Sequence, residues 1–319
     1  PMVTLDDELR CTYPTFIKNS NRELIYTYRK GGSGNGINIS NIYDEESKSF
    51  RRLTDKPLFD GLGEMSAYAS GPMLGSDNFF HIIWLWRDTP GCETNHDLSY
   101  AKSEDLINWK TANGSQFELP ITPTLSQFTV DPVPAKGGAI NGVDVLFFGS
   151  QGQPLIAYMK YDEEAKSQIY LAGLEDNKWV SKQVSYWDYR WNFSGPGSIS
   201  SEIRINDCFI GLEDEIVITY NHIKYGFGKL VVDQSTLKFV EDRQMRKYEN
   251  SHYPAELLTP ISNIDSASVN WLKSNTIDDN PNEYYALRWE TMGKRRFYKP
   301  REKPVKPSAL VLYKFSKNP

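Results

Sequence analysis

Cysteine is scarce in this chain. Its 319 residues include only Cys11, Cys92 and Cys208, which are far apart and odd in number. This excludes a disulfide framework and a zinc site of the Cys-x-x-Cys type. The four histidines lack metal-ligand spacing of the HxxxH type. We therefore predict no metal site and no cofactor, although a structural Ca²⁺ held by Asp and backbone oxygens stays open.

Long apolar runs, sustained helical periodicity and strong net charge are also lacking. No run reaches the length of a membrane-spanning helix. The net charge of −5 gives no general attraction to nucleic acid or anionic membrane. Gly31–Gly36 is not followed by Lys-Ser/Thr, which excludes a phosphate loop. We predict no nucleic-acid partner and no membrane insertion, so any anion site must be local.

The chain contains a repeat instead. An aromatic strand that ends in a basic residue recurs five times, with the markers Arg29, Arg87, Lys160, His222 and Arg288 spaced 58 to 73 residues apart. Trailing aromatics follow the same period at Phe50, Trp109, Trp179 and Phe239. Such repetition of a strand-rich unit predicts an all-β β-propeller of four-stranded antiparallel blades, with five units in a single domain over residues 1–319.

Each unit also carries a polar turn before its trailing aromatic. The turn at Ser103–Trp109 is a degenerate Asp-box, Ser-x-Asp-x-x-x-Trp. The Asp side chain can satisfy turn amides while the aromatic packs between blades. We interpret it as a folding device without a catalytic part.

The basic markers are the first functional candidates. If Arg29, Arg87, Lys160, His222 and Arg288 occupy equivalent strand ends, a closed repeat brings them together as a cationic pocket. Arginine forks suit carboxylate and sulfate groups. The alternative is that each cation pairs with an acid in its own blade, for example Arg87 with Asp88.

Two side chains are candidates for proton transfer. His96 lies in the polar stretch Thr94–Asp97, where Asp97 or Asn95 would orient it. Tyr158 lies beside Lys160, whose charge would lower its pKa. The competing interpretations are a structural histidine and an ordinary strand tyrosine.

The aromatic segment Tyr186–Gly195 is a candidate sugar-binding surface. Tyr189 and Trp191 would stack on sugar rings, and Arg190 would meet an acidic group. Packing between blades is the equal alternative.

Several motifs together resemble a known family. They are Thr12–Phe16, Tyr28–Gly36, Trp86–Pro90, Asn95–Ser103 and Trp187–Trp191. They resemble the BNR-repeat-like propeller family of bacterial polysaccharide-degrading enzymes, which includes ulvan lyases. The resemblance implies seven blades, a periplasmic or secreted protein, and members longer than this chain. We therefore expect that N-terminal sequence is missing here.

The resemblance also implies a chemistry. Lyases of this family use His and Tyr for proton transfer and Arg to neutralise the uronate carboxylate, which by motif implies His96, Tyr158 and Arg87, with Arg190 as a second neutralising candidate. Met159 departs from the family's Tyr-His-Lys-Tyr-Asp pattern, in which a histidine stands there. We predict a lyase acting on an acidic, ulvan-like polysaccharide by β-elimination. A glycoside hydrolase and a non-catalytic sugar-binding propeller are the alternatives.

Overall fold

The computed structural model describes residues 10–245, 253–261, 267–273, 283–292 and 308–316. Strands dominate, and three 3₁₀ helices of one turn lie at Cys92–Thr94, Ser126–Phe128 and Ala255–Leu257. The predicted all-β class and β-propeller fold are confirmed, with five antiparallel sheets in the described residues. The chain divides into two compact units, one of residues 1–197 and 201–245, the other of residues 198–200 and 246–319. The single domain over 1–319 stays a prediction.

The first unit holds four meander sheets, or blades. Blade 1 comprises β1 (Cys11–Lys18), β2 (Leu24–Gly32), β3 (Asn35–Asp44) and β4 (Ser49–Arg52), with β5 (Phe59–Asp60) added beside β3. Blade 2 comprises β6 (Ser66–Leu74), β7 (Phe80–Arg87), β8 (Asn95–Ser103), β9 (Trp109–Lys110) and β10 (Gln116–Phe117), with β11 (Thr129–Asp131) added beside β8.

The next two blades have four strands each. Blade 3 comprises β12 (Val145–Phe148), β13 (Pro154–Tyr161), β14 (Ser167–Glu175) and β15 (Lys178–Gln183). Blade 4 comprises β16 (Ile203–Ile210), β17 (Ile216–His222), β18 (Gly226–Asp233) and β19 (Lys238–Gln244). In the second unit, β20 (Ser268–Lys273), β21 (Glu283–Thr291) and β22 (Val311–Ser316) form the fifth sheet.

Blade 2 shows how the core of the first unit is built. All eight residues of β7 are buried, and alternate side chains point to opposite faces of the sheet. Trp84 and Trp86 pack with residues of blade 1 such as Ile25. Ile83 packs on the other face with residues of blade 3 such as Ile156. The apolar strand is therefore the layer between two neighbouring blades.

The basic markers lie at equivalent places in the repeat. Each is in the second strand of its sheet, within three residues of that strand's C-terminal end. Within the first unit these strands are β2, β7, β13 and β17. The repeat therefore presents one side chain per blade at the same strand end.

The Asp-box has the geometry that its sequence predicts. Asp105 Oδ1 accepts hydrogen bonds from Ile107 N (2.9 Å) and Asn108 N (2.7 Å). Ser103 Oγ accepts from Leu106 N at 2.9 Å. Burial raises the pKa of Asp105, but the hydrogen bonds from Asn108 and Ile107 outweigh it and lower the pKa below its usual range. The turn seats Trp109, which is 1% exposed, in the core.

We expect Asp105→Ala to reduce the free energy of unfolding by about 1–3 kcal/mol, because the turn amides lose their acceptor. The depressed pKa means that this contribution is present at neutral pH and is lost as the pH falls through the folded-state value. Urea denaturation at neutral pH measures the loss. Glu45→Ala, at an exposed position of the equivalent turn in blade 1, is the matched control and should change little. Equal effects of the two substitutions would contradict the assignment.

Candidate functional site

Two arginines and two tyrosines form a cluster at the ends of β1, β2, β6 and β7. The Arg87 guanidinium carbon lies 3.8 Å from the ring centroid of Tyr68. That of Arg29 lies 4.8 Å from Tyr68 and 4.9 Å from Tyr13. We call Tyr13, Arg29, Tyr68 and Arg87 the arginine–tyrosine cluster. In this cluster, two positively charged groups from neighbouring blades lie against the same aromatic ring, that of Tyr68.

A local irregularity places Tyr13 in this cluster. The pairing of β1 with β2 shifts between Thr12 and Thr15, so one strand bulges. Tyr13 has the left-handed φ of 57°, which is costly for a residue with a Cβ. Bulges re-aim side chains and are frequent beside active sites. Here the bulge accompanies a 55% exposed tyrosine whose ring covers Arg29.

Two asparagines hold Arg87 in place. Its Nε donates to Asn95 Oδ1 at 2.7 Å, and its Nη2 donates to Asn141 Oδ1. Asn95 Nδ2 also donates to Asn141 Oδ1, at 3.3 Å. Because the partners are neutral amides, the guanidinium is oriented, and no carboxylate among the described residues compensates its charge.

Arg29 has fewer hydrogen-bonded N–H groups than Arg87 among the described residues. It is 4% exposed, and its Nε and Nη1 are buried without a hydrogen-bond partner among the described residues. Neither Arg29 nor Arg87 has a carboxylate within ion-pair distance in the described part of the chain. The alternative pairing of Arg87 with Asp88 is not formed, because Asp88 lies instead against His96. Buried charge without a counter-charge is costly, so this cluster is suited to an incoming anion.

Tyr68 is the group most affected by these charges. It is 5% exposed, and its hydroxyl shares a short hydrogen bond with Ser33 Oγ. Burial raises the pKa of Tyr68, but the Ser33 hydrogen bond, the Arg87 charge, and the hydrogen bond and charge of Arg29 together bring it below its usual value. In contrast, burial raises the pKa of Tyr13. The phenolate of Tyr68, which is the form able to accept a proton, is therefore easier to form than that of an ordinary tyrosine.

The hairpin between β2 and β3 connects the cluster with the loop after β7. Ser33 reaches Tyr68, and the next residue, Gly34, lies directly against Thr89. A Cβ on Gly34 would be 2.6 Å from the Thr89 carbonyl carbon, and φ is +74°. Only glycine allows this approach. The hairpin tip therefore lies between the Tyr68 hydroxyl and the Asp88–Thr89 backbone.

His96 lies between two carboxylates on this loop. Its Nδ1 is 2.8 Å from Asp97 Oδ2, and its Nε2 is 2.9 Å from Asp88 Oδ1. Burial lowers the pKa of His96, but the Asp97 hydrogen bond and the charges of Asp88 and Asp97 outweigh it and raise the pKa above its usual value. A protonated imidazole is thereby favoured, which suits a proton donor.

Tyr158 and Lys160 form a separate buried network. The Tyr158 hydroxyl donates to Asp131 and also contacts Ser181 Oγ. Lys160 Nζ lies 2.6 Å from Asp131 Oδ2. Burial, followed by the Asp131 charge, raises the pKa of Tyr158. Tyr158 is 2% exposed, so this geometry favours a structural network over proton transfer.

The aromatic segment divides into buried and accessible side chains. Trp191 is 2% exposed, and its carbonyl accepts from Tyr161 Oη at 2.7 Å. Arg190 is exposed, lies 4.0 Å over the Tyr161 ring and donates to Ala165 O at 2.7 Å. Tyr189 is half-buried and packs on His222. The burial of Trp191 favours packing over sugar stacking at that residue.

The two remaining basic markers, Arg288 and His222, differ from the arginines of the arginine–tyrosine cluster in their partners and their charge. In the second unit, Arg288 Nη2 pairs with Glu290 Oε1 at 2.9 Å, and its Nε donates to Leu257 O at 3.0 Å. Its donors therefore have protein partners. Burial, together with the Lys224 charge, lowers the pKa of His222 to about 4. At neutral pH, His222 is therefore uncharged, although it stands at the position of a basic marker.

Tyr13, Tyr68 and Asn141 were not predicted as site residues. Tyr13 was part of a recognised motif, but its place over Arg29 depends on the bulge. Tyr68 stands between Ala67 and Ala69 in a strand, where a tyrosine is ordinary. The one available signal was that β6 precedes the β7 strand that ends in Arg87.

No group of three or more His, Cys, Asp or Glu side chains among the described residues is arranged to hold a metal ion. None of the helices described is long and apolar enough to span a membrane.

Comparison with known proteins identifies relatives of this fold. A family model described as "BNR repeat-containing family member" matches residues 1–187, which confirms the resemblance seen in the motifs. The polysaccharide lyase Uly1 is similar at 14% identity with a TM-score of 0.55, over 96% of this chain and 58% of that chain. No curated protein sequence matches.

Two further structures align with lower scores. A PL25 ulvan lyase bound to -[GlcA(1-4)Rha3S]- aligns at 16% identity and a TM-score of 0.49, over 96% of this chain and 65% of that chain. The Hadza microbial sialidase Hz136 aligns at 11% identity and 0.49, over 89% and 53%. The chain thus spans less than two thirds of the length of these relatives. Identity at this level shows the fold alone.

We expect His96 to titrate above the usual histidine pKa and Asp97→Asn to lower its pKa, because the hydrogen-bonded carboxylate is removed. Histidine ¹H–¹⁵N NMR measures both. Because the folded pKa is raised, the stabilisation from charged His96 is complete below about pH 6.5 and is lost as the pH rises through the folded-state value. Asp176→Asn, at an exposed turn, should leave the titration unchanged. A His96 pKa at or below the ordinary value would contradict the two-carboxylate environment.

Proposed function

The chain belongs to the BNR repeat-containing family, and from this premise we propose that it cleaves uronate-containing polysaccharides by β-elimination. One observation carries the proposal. Arg29 and Arg87 are 4% and 6% exposed and share the Tyr68 ring without a carboxylate partner among the residues described. A site of this kind favours a ligand that brings its own negative charge.

A uronate carboxylate matches the donors that are free. A guanidinium presents paired N–H groups in a fixed plane, and a carboxylate accepts two of them side by side. Arg29 Nε and Nη1 have no hydrogen-bond partner among the described residues, and because they lie on different edges of the guanidinium each would donate one hydrogen bond to an incoming oxygen. Arg87, already oriented by Asn95 and Asn141, contributes the second positive charge. Neutralising the carboxylate makes the adjacent C5 proton acidic, because the charge that develops on removing it is stabilised.

The reaction then needs a base and an acid. We assign Tyr68 as the base, whose phenolate oxygen takes the C5 proton. The C5–H electron pair forms the C4=C5 double bond as the C4–O bond breaks. His96 then donates its proton to the departing glycosidic oxygen. The lowered pKa of Tyr68 and the raised pKa of His96 suit these directions of transfer.

Tyr68 replaces Tyr158 as the proposed base for a physical reason. The family resemblance implies Tyr158, which is coupled to Asp131 and has a raised pKa. Tyr68 instead has two cations against its ring. Lys160, which was expected to tune Tyr158, pairs with Asp131. In this proposal, Tyr158 therefore has a structural role in blade 3 and takes no part in proton transfer.

A non-catalytic sugar-binding propeller is the second candidate. Met159 stands in the family's histidine position and is 1% exposed, in the interior of β13. A buried methionine neither transfers a proton nor binds a sugar hydroxyl. If the missing histidine is essential, the arginine–tyrosine cluster would bind acidic glycans without cleaving them.

We expect ultraviolet absorbance to rise when the protein is mixed with ulvan or another uronate polysaccharide, because elimination creates a conjugated double bond. Tyr68→Phe should reduce the rate by about 10²–10⁴-fold, the usual contribution of a general acid or base. Tyr158→Phe is the matched control, since it removes the hydroxyl expected from the resemblance, and it should retain activity if the protein stays folded.

Loss of activity in Tyr158→Phe together with full activity in Tyr68→Phe would reassign the base to Tyr158. Reducing ends released without absorbance would indicate a hydrolase. Binding of the polysaccharide without either product would favour the non-catalytic candidate.

A further inference from the structure

The Arg29 guanidinium lies between two tyrosine rings that differ in exposure. Its carbon is 4.8 Å from the ring centroid of Tyr68, which is 5% exposed, and 4.9 Å from that of Tyr13, which is 55% exposed. Arg29 itself is 4% exposed, and its Nε and Nη1 are both buried without a partner among the described residues. Tyr13 is therefore the ring that separates these two donors from solvent.

An anion cannot reach the Arg29 donors in this conformation, because buried nitrogens have no surface for a ligand to contact. One of the surrounding groups must move first. The buried Tyr68 is held through its hydroxyl by Ser33. Gly36 lies close against the Arg29 stem, since an added Cβ would be 3.1 Å from Arg29 Cγ. Tyr13 is the exposed group among these neighbours, and its displacement opens the shortest path to the guanidinium.

The backbone of Tyr13 is weakly held. β1 is an edge strand that pairs only with β2 among the described strands. Between residues 12 and 15, β1 has two residues, Tyr13 and Pro14, opposite the single residue Tyr28 of β2. Pro14 has no N–H to donate to the sheet. Tyr13 also has a left-handed φ of 57°, which is costly for a tyrosine. Movement of this bulge therefore breaks little of the sheet and relieves strain.

We propose that Tyr13 is a displaceable cover of Arg29 and determines which anions the arginine–tyrosine cluster accepts. In the free protein, the Tyr13 ring packs on the guanidinium. When a ligand binds, the ring moves aside and the carboxylate takes its place against the Arg29 donors. The cover itself is independent of the reaction, whereas the identity of the anion as a uronate rests on the proposed function.

The cover makes the cluster selective against small anions. Displacing Tyr13 removes its cation–π contact with Arg29 and its edge contact with the Tyr68 ring, 5.7 Å between centroids. A carboxylate carried by a sugar ring can restore aromatic packing, because the C–H face of the sugar lies well against a tyrosine. Acetate has the same charge but no such face. Glucuronate therefore offsets the loss of these contacts, and acetate does not.

Labelling with phenylglyoxal, an arginine-specific reagent, followed by peptide mass spectrometry tests the cover without any glycan. In the wild type we expect slow labelling of Arg29 and fast labelling of the exposed Arg51. Tyr13→Ala should label Arg29 about tenfold faster, which corresponds to losing about 1.4 kcal/mol of closure. Tyr13→Phe keeps the ring, so it is the matched control and should label as the wild type does.

Arg87 in the same samples distinguishes uncovering from unfolding. It is 6% exposed and held by Asn95 and Asn141, so its labelling should stay slow in every protein. If Tyr13→Ala also exposes Arg87, Tyr13→Gly repeats the comparison with a residue that adopts the left-handed φ without strain. Arg29 labelled as slowly without the Tyr13 ring as with it, or as rapidly as Arg51 in the wild type, would overturn the proposal.

Protection of Arg29 from the reagent by sodium glucuronate or sodium acetate measures the selectivity. We expect glucuronate to protect at the lower concentration in the wild type, and Tyr13→Ala to lower the glucuronate-to-acetate affinity ratio about tenfold. An unchanged ratio would overturn the role of Tyr13 in selectivity. Failure of the proposed function has a different signature: neither anion protects Arg29 in any variant, while the labelling rates still decide whether Tyr13 covers it.

Discussion

Two buried guanidiniums share one tyrosine ring, and the candidate site depends on this contact. A cation–π contact contributes about 0.5–2 kcal/mol, whereas burying an ion costs several kcal/mol in real proteins. The Tyr68 ring therefore does not offset the burial of Arg29 and Arg87 by itself. Neutral asparagines orient Arg87 without supplying charge. In the proposed function, an anion bound at the cluster offsets the remaining cost, which would link the stability of the site to its ligand.

Equivalent strand ends have acquired different chemistry in different blades. Arg29 and Arg87 have no carboxylate partner in the described part of the chain, whereas Lys160 pairs with Asp131 at 2.6 Å. His222 is held neutral by burial and the nearby Lys224. One repeated position thus provides a cationic group, a structural ion pair and an uncharged donor. The environment of each side chain, more than its residue type, decides which of these it becomes.

The repeat was predictable because it is local in sequence. Strand ends such as Arg87 and the Asp-box at Ser103–Trp109 each lie in one short segment, and the structure has them as predicted. Tyr68 was not predictable, because its role comes from Arg29 and Arg87 on two other strands. The Tyr158–Asp131 pair spans 27 residues and was equally invisible. Local patterns predicted the blades, and contacts between strands determined the site.

A crystal structure of the Tyr68→Phe variant with a bound glucuronate-containing oligosaccharide tests the central claim most directly. The account predicts a uronate carboxylate within hydrogen-bond distance of the Arg29 guanidinium, with Arg87 beside it and C5 facing the ring edge of residue 68. A carboxylate bound elsewhere, with the Arg29 donors still unpartnered, would contradict the account.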